Sequence, residues 1–173
     1  SLQPEFQYHS GIASHKGIVM DKISLPKAST LTSPNPVALV CTTKKDGHTN
    51  LASVSWWTYL SFNPEMIAFA MMKPSYSGEM VREHHKVILT IPGTDLAQAV
   101  IKCGSHSGRN IDKVKEFNIQ MQSLPNSDIQ IPLHSKLAIY CSLKDYVEVG
   151  DHYLYICNVE NVYANDAETA VYA

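Results

Sequence analysis

The stretch that decides the fold is Asp46–Pro64, which reads DGHTNLASVSWWTYLSFNP. It begins at an Asp-Gly turn, typical of a hairpin, and it ends at an Asn-Pro turn. From Asn50 to Phe62 apolar and polar residues alternate as in one long, half-buried strand. A core strand does not need this many hydroxyl and indole groups, so we expect the strand to lie beside a flat, polar ligand.

The segments around this stretch predict a mainly β protein with flanking helices. No GxGxxG motif follows a strand, which argues against a dinucleotide-binding parallel sheet. We expect a small antiparallel barrel of about six strands and three short helices, in a single domain over residues 1–173 with a loose arm at 1–15. Further strands are expected at 37–43, 66–72, 86–91, 137–147 and 152–163, and the mixed segment 17–25 could be a short first strand. Helices are expected at 76–84, 94–104 and 111–117, with a loop at 26–36.

Composition narrows the class of protein. The chain has 173 residues, of which 45% are hydrophobic and 17% charged, as in a soluble globular protein. A net charge of -2 gives no basic field for nucleic acid, and no apolar stretch is long enough to span a membrane. The four cysteines form no CxxC pair, which predicts free thiols and a cytoplasmic location. No metal-ligand spacing and no GxSxG motif is present.

Three further segments carry candidate ligand-binding groups. Lys73, Ser75, Tyr76 and Ser77 lie at a predicted helix start, where hydroxyls, free N–H groups and a cation suit an anion such as phosphate. The alternative is a plain helix cap with a surface lysine. The polar loop that begins at Ser107 and the turn at His152 could also meet a ligand, or they could be ordinary solvated segments.

The combination of these segments resembles the flavin reductase-like family, nearest its flavoredoxin branch. The resemblance rests on DGHTNLASVSWW, KPSYSGE, SGRNIDK and GDHYLYICNV, which occur in the family's order. It implies an FMN-binding split barrel, a six-stranded antiparallel Greek-key fold that usually forms homodimers with FMN near the interface. One departure is Cys157, which stands where the family tends to have glycine.

Carried over position by position, the family's motifs imply a set of FMN-binding residues in this chain. Lys113 and His152 are implied beside the flavin ring, where they would tune it, and no side chain is required as a general acid or base. The set implied to bind the cofactor is Asn50, Leu51, Ala52, Ser53, Ser55, Trp56, Lys73, Ser75, Tyr76, Ser77, Ser107, Gly108, Arg109, Lys113 and His152.

The resemblance leaves three functions open. The first is an FMN oxidoreductase that takes hydride from NAD(P)H and passes electrons to an acceptor. The second is an FMN electron carrier that is reduced by an iron–sulfur protein partner and has no NAD(P)H activity. The third is a barrel that binds a ligand without redox chemistry.

Overall fold

The chain divides into two units, residues 1–33 and residues 34–173. The computed structural model describes residues 20–32 and 34–172, so the expected arm at 1–15 lies outside the described residues, and the single domain stays a prediction. In the first unit, helix α1 covers Leu25–Leu31, and Ser24 Oγ accepts a hydrogen bond from the backbone N–H of Lys27 at 3.2 Å. Residues 17–19 of the expected strand lie outside the described residues, and residues 20–24 form no strand. The expected loop at 26–36 is wrong over residues 26–31, because a proline in the first helical turn is compatible with a helix there.

The second unit is built on a seven-stranded antiparallel sheet in the order β2-β1-β5-β8-β9-β4-β3. A separate two-stranded sheet is formed by β6 and β7, in the segment between the helices and the last hairpin. The strands are β1 Ala38–Thr43, β2 Thr49–Val54, β3 Trp57–Phe62, β4 Glu65–Met72, β5 Lys86–Pro92, β6 Met121–Ser123, β7 Gln130–Pro132, β8 Ser135–Val149 and β9 His152–Ala164.

The predicted long strand is broken at Ser55–Trp56. Its first half, β2, pairs with β1 at one edge of the sheet, and its second half, β3, pairs with β4 at the other edge. Because two residues join these edges, the sheet is curled into a barrel, and the N–H of Ala70 donates to the carbonyl of Trp56 at 2.9 Å. Counted as one bent strand, β2 and β3 restore the six strands expected from the sequence.

Apolar residues pack on both faces of the sheet. Successive residues of β1 belong to different clusters, because side chains alternate across a strand. Val40 packs with Phe69, Leu89 and Tyr155 in the first cluster. Leu39 packs in the second cluster, which includes residues of the helices and of the two-stranded sheet. The second cluster therefore attaches the helical segments 97–104 and 113–116 to the barrel, whereas Val81 of the helix at 76–84 packs in the first cluster.

Three helices follow β4 in the order that the sequence predicts. They are α2 Tyr76–His84, α3 Ala97–Gly104 and α4 Lys113–Glu116. Ser75 caps α2, since its Oγ accepts from the N–H of Gly78 at 3.2 Å. The turn before α3 is a 3-10 helix over Thr94–Leu96 with no side-chain cap. The predicted helix at 94–104 therefore begins as a 3-10 turn, and its α-helical part begins at Ala97.

The C-terminal segment after β9 returns across the barrel. Ala170 and Tyr172 form isolated bridges with Gly93 and Pro36. Glu168 Oε1 lies 3.1 Å from His134 Nδ1, which is also 3.5 Å from Asp95 Oδ2. These ion pairs join three segments that are distant in the sequence.

Two predictions made from composition can be compared with the structure. All four cysteines are free and buried, as predicted. No helix in the described part of the chain is long and apolar enough to cross a membrane. The cytoplasmic location stays a prediction.

Candidate functional site

A cleft of about 540 Å³ opens where the β2–β3 junction faces the start of α2 and the loop between α3 and α4. Four distant parts of the sequence meet in it. Of the predicted residues, the cleft is lined by Ala52, Ser53, Ser55, Trp56, Ser75, Tyr76, Ser77, Ser107, Gly108, Lys113 and His152. The three candidate segments and the stretch Asp46–Pro64 thus converge on one cleft, as a single binding site requires.

The start of α2 supplies hydrogen-bond donors to one end of the cleft. The first N–H groups of a helix have no partner inside the helix and carry a partial positive charge. Here the first two helical residues, Tyr76 and Ser77, line the cleft, while the third N–H is taken by the Ser75 cap. The free N–H groups at the start of this nine-residue helix are donors that suit a phosphate group.

Lys113 supplies a buried cation. Its side chain is 3% exposed, and its Nζ donates to the carbonyls of Leu51 at 2.7 Å and Cys103 at 2.9 Å. Burial lowers the pKa of Lys113 below 10.5, because desolvation disfavours the charged form. Burial also raises the pKa of the Cys103 thiol to about 11, so this neighbour is neutral near pH 7.

Trp56 and His152 form a flat wall. Their rings stack with centroids 4.8 Å apart and an interplanar angle of 22°, and both line the cleft. The imidazole is oriented by Asp151, whose Oδ1 lies 2.6 Å from His152 Nδ1. This hydrogen bond holds the pKa of Asp151 below its usual range. Because Trp56 remains 55% exposed, the stack lies at the mouth of the cleft and can meet a planar ring.

Four of the predicted residues do not line the cleft. Asn50 and Leu51 are buried in the wall behind it, at 1% and 0% exposure. Lys73 is paired with the carboxylate of Glu148. Arg109 donates to Glu79 Oε2 at 2.6 Å, and its guanidinium lies over the ring of Tyr76.

Both of these cations are therefore neutralised by carboxylates that lie 75 and 30 residues away in the sequence. Sequence proximity to the helix start made them candidates, and the acids that hold them could not be read from the motifs. The pKa values of Glu79 and Glu148 are both lowered, chiefly by the hydrogen bonds from these cations.

Several further residues that line the cleft were not among the predicted ones. Some of them end β4 just before the predicted helix start, and others close α3 just before the polar loop, so adjacency in sequence could have indicated them. They are Val54, Ala70, Met71, Met72, Pro74, Cys103, Gly104, Ser105 and His106.

Comparison with known proteins identifies the family. A family model described as "Flavin reductase like domain" matches residues 30–173. This chain belongs to the flavin reductase-like family. Four curated relatives, each named an uncharacterized protein, are 23–26% identical over 56–75% of this chain, and the chain spans 50–67% of their length. They come from Archaeoglobus fulgidus, Pyrococcus abyssi, Aeropyrum pernix and Escherichia coli.

Solved structures of this family share the fold. The flavoredoxin of Desulfovibrio vulgaris is 24% identical with a TM-score of 0.72, covering 85% of this chain and 78% of that chain. An FMN-binding protein of Thermus thermophilus is 19% identical with a TM-score of 0.74, covering 87% and 81%. A split-barrel flavin reductase of Shewanella frigidimarina is 15% identical with a TM-score of 0.74, covering 82% and 72%. The split-barrel fold expected from the sequence is confirmed.

Proposed function

We propose that this chain binds FMN in the cleft and transfers hydride or electrons from NAD(P)H through it to an acceptor. The observation that carries the proposal is the convergence on one cleft of three features that an elongated flavin nucleotide requires. These are the helix start at Tyr76, the buried cation of Lys113 and the aromatic wall of Trp56 with His152. Membership of the family supports flavin binding. The use of NAD(P)H as the hydride donor is proposed in addition.

The residues present fit the cofactor. The cleft volume of about 540 Å³ lies within the range of about 300–1,000 Å³ that is usual for small-molecule sites. The start of α2 suits the phosphate, and small side chains such as Ala52 and Gly104 leave room beside the wall. Position 108 must be glycine, because a Cβ added there would lie 2.1 Å from Asn50 Oδ1.

Each wall has a distinct role in this proposal. Once bound, FMN supplies the hydride and electron chemistry that protein side chains lack. Lys113 holds a positive charge in a water-poor place, where it stabilises negative charge more than it would in water. Trp56 and His152 cover a planar ring and exclude water from it. The donors of α2 fix the position of the nucleotide by its phosphate.

The experiment is an anaerobic titration of the purified protein loaded with FMN. We expect a yellow protein whose flavin absorption band bleaches on addition of NADH or NADPH and recovers with oxygen. A protein that takes up no added FMN contradicts flavin binding. A yellow protein that is bleached by a reduced iron–sulfur protein, and by neither nicotinamide, is instead the electron carrier of the second hypothesis.

We also propose that the protein is a homodimer whose interface includes β3. This edge strand exposes Tyr59, Leu60 and Phe62 at 56%, 48% and 87%, a run of large apolar side chains that a soluble monomer rarely leaves in water. The strand that carries this run begins at Trp57, directly after Trp56 at the mouth of the cleft. A second copy on this edge would cover the mouth of the flavin site.

A further inference from the structure

Asn50 is buried behind the cleft and reaches it only through another side chain. It is 1% exposed, and its Nδ2 donates to Ser77 Oγ at 2.8 Å. Ser77 lines the cleft and lies in the first turn of α2, whereas Asn50 is not part of the lining. The hydrogen bond therefore connects the opening strand with the helix start.

This hydrogen bond decides the direction in which the Ser77 hydroxyl donates. A serine hydroxyl has one proton to donate and two lone pairs to accept with. Since the amide of Asn50 occupies a lone pair, the proton of Ser77 points elsewhere, and the Ser77 hydroxyl donates to no other side chain or carbonyl among the residues that the structure describes. The hydroxyl is thus set as a donor at the end of the cleft that already carries the free N–H groups of α2.

The amide of Asn50 is held in this position by close packing. Gly108 lies against it so tightly that an added Cβ would be 2.1 Å from Asn50 Oδ1. That oxygen is itself buried without a hydrogen-bond partner in the described part of the chain. Burying an unpaired oxygen costs free energy, and such a cost in a folded protein calls for an explanation such as a functional role. The arrangement therefore maintains the donation to Ser77 at the expense of an unpaired carbonyl.

We infer that Asn50 is a positioning residue that makes the cleft selective for a phosphate monoester. It commits the Ser77 hydroxyl to donate, so that the start of α2 presents donors alone to the ligand. This inference rests on the proposed function, and it assigns Asn50 a role other than direct contact with the flavin. Its consequence is preference for FMN over riboflavin, because riboflavin has the same ring and lacks the phosphate.

The test measures the dissociation constants of FMN and riboflavin from the quenching of flavin fluorescence. The variants are Asn50→Leu, Ser77→Ala and the double variant, with Ser77→Thr as the conservative replacement that keeps the hydroxyl. Asn50→Ser, too short to reach Ser77, serves as a second variant in case the leucine disturbs folding. The matched control is Thr42→Val, a buried polar residue opposite Asn50 in the sheet register.

We expect Asn50→Leu and Ser77→Ala each to weaken FMN about tenfold and riboflavin less than about twofold, in line with one lost hydrogen bond to a charged group. The double variant should lose no more than Ser77→Ala alone, since both changes remove the same donor. Ser77→Thr and Thr42→Val should keep the wild-type ratio. A thermal melt of each variant confirms that it is folded.

Three results would overturn the inference. In the first, the Asn50 variants weaken both flavins equally, as a direct ring contact would. In the second, the losses of the two single variants add in the double variant. In the third, the ratio of the two constants is unchanged in every variant. A wild-type protein that binds neither flavin fails at the earlier step and refutes the proposed function instead.

Discussion

At the scale of single residues, Lys113 has the least ordinary environment in the cleft. An ammonium group has three donors, and two of them are taken by the carbonyls of Leu51 and Cys103. Both acceptors are neutral, and within residues 20–32 and 34–172 no carboxylate is paired with Lys113 to cancel the charge that it brings to the site. Lys113 differs in this from Lys73 and Arg109, whose charges are paired.

The depressed pKa of Lys113 predicts a pH dependence of flavin binding. Because burial lowers this pKa, the lysine loses its proton at a pH below the 10.5 of a free side chain. The protonated form attracts an anionic ligand, so affinity for FMN should be highest below the folded pKa of Lys113 and should fall as pH rises through it. Measuring the FMN dissociation constant from pH 7 to pH 10 checks this.

Two substitutions separate this effect from general alkaline loss of structure. Lys113→Met should remove the pH dependence and weaken FMN about tenfold at pH 7, at the cost of two unpaired carbonyls. Lys113→Arg keeps the charge and should keep binding independent of pH over this range. If Lys113→Met still lost affinity for FMN as the pH rises, the titration of another group would have to be responsible. The Cys103 thiol, with its pKa raised to about 11, is not that group.

Residue types were predictable here, and residue environments were not. The motif SGRNIDK marks both Arg109 and Lys113 as candidates, and sequence alone cannot rank them. The fold decides which of the two cations serves the site. Lys113 at the start of α4 donates to the carbonyl of Leu51, whereas Arg109 is paired with Glu79 on α2. The burial of Asn50 behind Ser77 was hidden for the same reason, since strand alternation cannot show which neighbour fills the space above a strand.

At the scale of elements, the start of α2 supports both stability and binding. Ser75 Oγ accepts from the N–H of Gly78 and satisfies one of the free donors of the helix. Ser75→Ala should lower the free energy of unfolding by about 1 kcal/mol, the usual cost of a lost helix cap. Urea denaturation of the apoprotein measures this value.

Lys73→Ala is the matched comparison, two residues away. The Lys73–Glu148 pair is exposed at 34% and 68%, and solvent screens such a pair so that it adds little to stability. We therefore expect little change in unfolding free energy and a change in FMN affinity of less than about threefold. A tenfold loss of FMN affinity in Lys73→Ala would show that the lysine leaves Glu148 to meet the phosphate.

Elements with a clear pattern were predicted well, and those decided by pairing were not. The apolar stripe and cap of α2 are local, so the sequence contains them. The break at Ser55–Trp56 is not local, because β2 and β3 are continuous in sequence while they pair with β1 and β4 at opposite edges. The alternation expected along one strand fails at this break, since Trp57 and not Trp56 packs against the same cluster as Ala52 and Val54. Helix α1 was missed because Ser, Thr and Pro were read as a loop, although Pro26 lies where a helix start accepts it.

At the scale of the whole molecule, the apolar surface of β3 predicts the state of assembly. Phe62, at 87% exposure, is the residue whose replacement by a charge should separate two copies most effectively. We expect the wild type to elute as a dimer and Phe62→Glu as a monomer in light scattering coupled to size-exclusion chromatography.

Ile101→Glu is the control for this prediction. Ile101 is 63% exposed on α3, so it offers a comparable apolar side chain outside β3. It should leave the dimer intact. A wild-type monomer would contradict the proposed interface, and so would a dimer that survives Phe62→Glu.

The bridge between Pro36 and Tyr172 brings the segment before β1 and the segment after β9 to one place on the surface of the barrel. A stretch of chain whose two ends lie together can be spliced into a surface loop of another protein without pulling that host apart. For the same reason its ends could be joined by a short linker and the chain reopened at the β8–β9 turn, where Gly150 has open space around it. The barrel is thus suited to serve as an insertable module.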